Sequence, residues 1–310
     1  MRLLPRRGPK REPLIRPEDI LLSKRITWRI DEPFTIFECR DFLPPHIAQQ
    51  LQREFPWSEL DRRMQPGSYR AQIDEKAASD LFSQVLTARP YTAAVLRAMK
   101  SQAFRRDFRR LFRVQITARA RRGSLRSWLF FRFLPISLMD VKSDFTLYRR
   151  GFQLTPHIDA SKKLLALLLY FEDPRASTQE RLDAQSVGGT GYWRGRRPDV
   201  RHKWFTRLTG QVGVDPETKP AGSLALARRY GEADPESGDF TEFAIDFERF
   251  VHVPPCENTL AGFVKSRDSW HDVDLRNYPH GVRRGAILIN INLVIPTLAR
   301  LVAPLRGRRN

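Results

Sequence analysis

Residues 148–161 read YRRGFQLTPHIDAS. Tyr148 and Gly151 stand three apart, and His157 and Asp159 follow two apart. The stretch from Leu154 to Asp159 has the short, turn-bounded apolar texture of a strand. On a strand, side chains at i and i+2 leave on the same face, so an imidazole and a carboxylate stand side by side. That is two thirds of the two-His, one-carboxylate set that holds non-haem iron(II). A bare His-x-Asp spacing also arises by chance, and an ordinary surface His–Asp pair is its plain reading, so the surroundings decide.

Upstream, Phe34–Phe42 predicts a strand, and Pro44-Pro45 opens a helix running to about Phe55, because Pro suits a first helical turn. Residues 79–112 predict two or three helices broken near Arg89-Pro90. From about residue 127 the helical periodicity gives way to short apolar runs between Gly, Pro and Asp. These predict strands at Phe145–Tyr148, Leu154–Asp159, Leu164–Phe171, Phe240–Val253, Thr259–Lys265 and Ala286–Leu293. Helices first and strands afterwards give an α+β class, built on an antiparallel sandwich or barrel. The boundaries are a basic, Pro-rich flexible tail over 1–20 and a single domain over 21–310. Within it lie a helical part over about 44–125, a strand-rich core over about 127–295 and an insertion over about 194–239.

The chain has 310 residues with a net charge of +19 and 41% hydrophobic residues, so a sizeable core is available and wholesale disorder is excluded. Two cysteines, Cys39 and Cys256, exclude a disulfide framework or a Cys-rich zinc site. No segment approaches the ~20 apolar residues of a membrane span, and the basic N-terminus lacks a secretion signal's apolar stretch. The expectation is a cytoplasmic protein without a transmembrane segment.

The charge implies an anionic partner: nucleic acid, a membrane surface or acidic small molecules. Ten arginines fall between Arg105 and Arg132, with Phe104, Phe108, Leu111 and Phe112 interleaved at helical spacing. The preferred reading is an amphipathic helix with a Phe core face and a solvated Arg face, and the sharper one is a polyanion-binding face. The C-terminal PTLARLVAPLRGRRN mixes apolar residues with arginine. It reads as a closing helix, with peripheral membrane contact as the alternative.

Six pieces of this sequence fall in a familiar order: Tyr148/Gly151; His157/Asp159; Gly188-Gly189-Thr190; Pro255, Asn258, Leu260 and Phe263; Ser269, His271 and Val273; and Arg283-Arg284. Together they resemble the 2-oxoglutarate/Fe(II)-dependent oxygenase superfamily, in its prolyl-4-hydroxylase-like branch, over about residues 140–295. The resemblance implies a double-stranded β-helix (jelly-roll) core with N-terminal helices packed on one sheet. It implies His157, Asp159 and His271 as metal ligands and catalytic centre, with His271 preferred to His252 and His280 on motif context. It also implies a basic residue for the far carboxylate of 2-oxoglutarate and a tyrosine, Tyr148, hydrogen-bonded to that cosubstrate. Alternation along Arg284–Leu293 places Arg284 on the polar, pocket-facing side and Arg283 on the other, and a guanidinium offers a carboxylate a two-point match.

The implied reaction is hydroxylation of a substrate C–H, with O2 oxidising 2-oxoglutarate to succinate and CO2. The substrate is a small molecule or a polypeptide, with an anionic one in keeping with the charge. The alternatives are an AlkB-like nucleic-acid oxidative demethylase and a non-catalytic basic polyanion-binding protein on the same fold. Nucleic acid is the less favoured partner, because Arg284, Ala286 and Asn290 do not reproduce the demethylase pattern on the last strand. The long stretch between Gly189 and Pro255 leaves the substrate open.

Overall fold

The computed structural model describes residues 14–120, 125–159, 162–196, 245–266 and 268–294. In chain order the strands are β1 (Trp28–Ile30), β2 (Ile36–Cys39), β3 (Arg70–Asp74), β4 (Met139–Arg149), β5 (Gln153–His157) and β6 (Lys163–Glu172). They continue with β7 (Thr190–Gly195), β8 (Phe247–Val253), β9 (Leu260–Val264), β10 (Trp270–Asp274) and β11 (Arg283–Leu293). All pairings are antiparallel, in a seven-stranded sheet of order β1-β2-β9-β6-β11-β4-β3 and a four-stranded sheet of order β5-β10-β7-β8. The α+β expectation therefore holds as a mixture of helices with antiparallel sheet.

Residue parity on the two central strands explains the layering. On β6, Leu165, Leu167, Leu169 and Phe171 join the core shared with the helices, whereas Ala166, Leu168 and Tyr170 face the second sheet. On β11, Ile287, Ile289 and Ile291 point to the helices, and Ala286 and Leu288 point between the sheets. A strand covered on both faces reads as a continuous apolar run, which is why KLLALLLYFE shows no alternation.

The helices are α1 (Leu22–Arg25), α2 (Pro45–Glu54), α3 (Trp57–Arg63), α4 (Ser79–Ala88), α5 (Pro90–Met99), α6 (Gln102–Leu111), α7 (Arg113–Ala118), α8 (Leu125–Arg132) and α9 (Thr178–Val187). Pro45 and Pro90 open their helices where a missing N–H costs nothing, and the Ser101 hydroxyl accepts from the Phe104 N–H to start α6. Phe104, Phe108 and Phe112 are buried, as the amphipathic reading expects. The arginines between them are only partly solvated. Arg105 donates to the Met139 carbonyl at 2.8 Å and Arg109 to that of Leu134 at 3.1 Å, tying α6 to the chain that leads into the sheet.

Four details differ from the sequence expectation. Residues 14–20, placed in the flexible tail, are folded: Pro17–Ile20 form a 3-10 turn, and Ile15 and Ile20 are buried in the main core. The helical part extends past 125, since α8 reaches Arg132 and the first long strand begins at Met139; the run SWLFFRF is apolar without a period that separates helix from strand. β1, β3, β7 and β10 had no counterpart among the predicted strands, and α1 and α9 had none among the predicted helices. The insertion lies outside the described residues except for 194–196, as do residues 1–13 of the tail and the C-terminal segment from 295. No helix among the described residues is long and apolar enough to cross a membrane.

Candidate metal centre

β5 and β10 are hydrogen-bonded neighbours, and their register sets His271 opposite His157. Both side chains are buried, their rings 4.2 Å apart between centroids and tilted by 47°. Asp159 follows just beyond the end of β5, with its Oδ2 3.8 Å from His271 Nε2. One ligating atom from each of His157, Asp159 and His271 lies within 4.8 Å of the others.

Protonation favours a cation here. The His271 Nδ1–H donates to the Ser269 carbonyl at 3.0 Å, which leaves the Nε2 lone pair directed at Asp159. Burial, reinforced by the neighbouring His157, lowers the His271 pKa to about 3, so the ring is neutral and able to ligate. Burial pushes the Asp159 carboxyl up, but the cationic Lys163, through its charge and its hydrogen bond, is the foremost of the effects that hold the group below the usual carboxylate range. Lys163 Nζ donates to Asp159 Oδ1 at 2.7 Å, while Oδ2 is buried and has no hydrogen-bond partner. Two imidazoles and one carboxylate oxygen without a hydrogen-bond partner among the described residues form a donor set suited to a first-row divalent ion such as iron(II). Phe263 packs on the His271 ring at 4.3 Å and gives the site a dry wall.

The second half of the site comes from the large sheet. Arg284 is 1% exposed, yet its Nε, Nη1 and Nη2 are all buried without a hydrogen bond among the described residues. Its guanidinium lies over the rings of Tyr170, at 4.9 Å, and Tyr148, at 5.3 Å. Arg283 has the opposite orientation and is fully occupied: Nε and Nη2 bond the Asp173 carboxylate at 2.8 and 2.9 Å, Nη1 bonds Asp61, and the plane covers Trp57. Strand parity thus sends one arginine into the helix layer and its neighbour between the sheets, as the alternation predicted.

Tyr192 connects the two halves and was missed by the sequence reading. It sits opposite His271 on β7, and its buried hydroxyl has no hydrogen-bond partner. Burial raises its pKa well above that of an ordinary tyrosine, Tyr170 raises it further, and the opposing fields of Arg284 and Asp159 both reach it. The signal was its place in TGYW directly after the Gly-Gly-Thr turn. Lys163 was also missed; four residues past Asp159 at the start of β6, it had no pattern to mark it.

The other motif residues hold the frame. Gly189 has φ +105°, and a Cβ there would run into the Val253 carbonyl, so the turn into β7 requires glycine. Asn258 clamps the N-terminal segment, accepting from the Leu43 N–H and donating to the Leu43 carbonyl, both at 2.9 Å. His252 is held by the Gly188 carbonyl, with burial lowering its pKa, and takes no part in the cluster. His46 and His280 are exposed. His202 lies outside the described residues.

No protein-family model matches the sequence, and no curated protein does either. Matching solved structures include the following three, all of low identity. A Pseudomonas putida prolyl-4-hydroxylase shares 15% identity over 83% of this chain and 92% of its own, with a TM-score of 0.35. HygX from Streptomyces hygroscopicus, solved with nickel and 2-oxoglutarate, shares 10% over 84% and 83%, with a TM-score of 0.39. The non-heme α-ketoglutarate-dependent carbocyclase SnoK from nogalamycin biosynthesis shares 11% over 92% and 87%, with a TM-score of 0.38.

Proposed function

We propose that this chain is an iron(II)- and 2-oxoglutarate-dependent oxygenase that hydroxylates a small-molecule or polypeptide substrate. In this reading His157, Asp159 and His271 hold the metal and Arg284 holds the far carboxylate of the cosubstrate. The observation that carries it is the buried guanidinium of Arg284, which has no counter-anion among the described residues and shares Tyr192 with the His-Asp-His cluster. A buried charge left unpaired is expensive, so a site that retains one is built for an anion that arrives from outside.

When bound, iron(II) would activate O2 as the oxidant, with 2-oxoglutarate supplying two electrons and being oxidised to succinate and CO2. The chain's residues do the positioning. Ser269 fixes the His271 tautomer, and Lys163 occupies one Asp159 oxygen, leaving the other for the metal. Tyr148 and Tyr170 cover the guanidinium of Arg284 and keep water from it, so its N–H groups are offered to a carboxylate in a low-dielectric setting. The Tyr192 and Tyr148 hydroxyls are further donors to that anion.

The strand order supports reading the core as a jelly roll. β4, β11, β6 and β9 form one wall and β5, β10, β7 and β8 the other, within the single domain assigned to residues 21–310. The test is anaerobic addition of Fe(II) and then 2-oxoglutarate, followed by the visible metal-to-ligand charge-transfer band. A band lost in both His157→Ala and Arg284→Ala supports the assignment. A folded protein that takes up no iron refutes it.

A further inference from the structure

α8 is built inside out. Leu125, Trp128, Leu129 and Phe133 recur at helical spacing and form one stripe, which in a core-facing helix would be buried. Here they are exposed to 69%, 41%, 41% and 66% respectively, while Ser127 on the opposite side is buried. Phe130 and Phe131 pack on the main core and fix this orientation. α7 lies against α8 and adds Val114, 76% exposed. Large apolar side chains exposed singly are common, but a continuous stripe on one helix marks a contact surface.

Along the chain the charges flanking the stripe are of one sign, and the acid that reaches α7 from elsewhere is Asp31, which accepts from Gln115 at 3.2 Å. No Asp or Glu occurs between Asp107 and Asp140. Arg113 and Arg126 are exposed, and Arg132 lies over the Trp128 ring at 5.4 Å. These differ from Arg105 and Arg109, which are committed to backbone carbonyls.

We propose that the α7–α8 face docks on the surface of an anionic phospholipid bilayer, with Leu125, Trp128, Leu129 and Phe133 entering the headgroup–acyl boundary and Arg113, Arg126 and Arg132 meeting the lipid phosphates. A Trp and aliphatic stripe flanked by arginine suits an interface that is apolar below and anionic above. Nucleic acid would use the arginines but give leucines and valine nothing to bury in. The interaction is independent of the metal centre and would bring the oxygenase to a membrane-associated substrate.

Flotation of the full-length protein with extruded vesicles tests this, comparing phosphatidylcholine alone with phosphatidylcholine containing about 30% phosphatidylglycerol. Preferential binding to the anionic vesicles is expected, weakened by salt. The combined Leu125→Ser, Leu129→Ser, Phe133→Ser variant, and separately Arg113→Glu with Arg126→Glu, should each lower partition about tenfold or more. Unchanged circular dichroism and melting temperature would show that each variant is folded. All the substituted side chains are exposed, and the arginine pair leaves the test intact should the serine variant fail to fold. Wild-type protein that ignores anionic vesicles, or variants that bind like wild type, would overturn the proposal. So would a wild-type dimer dissociated by the serine substitutions without vesicle binding, or oligonucleotide binding that depends on the arginines alone.

Discussion

Replacing Arg284 by methionine should stabilise the empty protein and abolish its response to 2-oxoglutarate. The guanidinium is buried with three unsatisfied nitrogens, and its compensation is two ring contacts, to Tyr170 and Tyr148. A buried unpaired ion costs several kcal/mol even after relaxation, and each ring contact returns about 0.5–2 kcal/mol. The balance is a net burden of about 1–3 kcal/mol, which Arg284→Met removes by filling the same space with an apolar chain. At roughly 2–4 °C per kcal/mol, the ligand-free melting temperature should rise by several degrees. Wild-type protein with 2-oxoglutarate at a hundred times its dissociation constant should gain about 2.7 kcal/mol, and the variant should gain none. Anaerobic calorimetry with Fe(II), with and without 2-oxoglutarate, reads both effects. A variant that melts below wild type would show that the guanidinium is already satisfied. An unchanged response to 2-oxoglutarate would show that the anion binds elsewhere.

Other substitutions probe the frame. Lys163→Met frees Asp159 Oδ1 and removes the cation that steadies it; iron affinity, measured by anaerobic titration, should fall about tenfold or more, in the range of other lost outer contacts to metal ligands. Asp144, opposite Asp74 across β3 and β4, has its pKa pushed up to about 6, by burial first and then by Asp74. A folded-state pKa above the unfolded one contributes stability that is present at low pH and lost as pH rises through about 6, so Asp144→Asn should gain on wild type by about 2 kcal/mol between pH 4 and pH 7 in paired thermal melts. Gly189→Ala forces a Cβ against the Val253 carbonyl in a backbone conformation L residues rarely adopt; a loss of at least about 2 kcal/mol in denaturant unfolding is expected.

The parts of the site fixed by strand parity were legible in the sequence. Arg284 against Arg283 follows from the two-residue repeat of β11, which needs no tertiary knowledge; His157 and Asp159 were paired by their i, i+2 spacing, although β5 ends at His157 and Asp159 lies just beyond it. Bringing His271 to His157 depended on motif order, because β5 and β10 are far apart in the chain and meet only through the sheet. Lys163 and Tyr192 act through space, one from the start of β6 and the other from a neighbouring strand, and the place of Tyr192 after the Gly-Gly-Thr turn was the single local signal between them. α8 was missed because the run SWLFFRF carries no period that separates helix from strand, so the strand-rich core was placed from about residue 127. β3 was invisible because RAQID is short, polar on alternate positions and set among helices.

The two halves of the centre belong to different layers. His157 and His271 sit on the four-stranded sheet, and Arg284 projects from the seven-stranded one. Packed sheets stand about 10 Å apart, a spacing set by the side chains between them along their whole length. An anion bridging a metal held by His157 and His271 to Arg284 would therefore be measured against the thickness of the protein itself. Under the proposed function, diacids too short or too long would be rejected by the backbone framework, and changing the accepted length would require repacking Ala166, Leu168 and Ala286, which lie between the sheets.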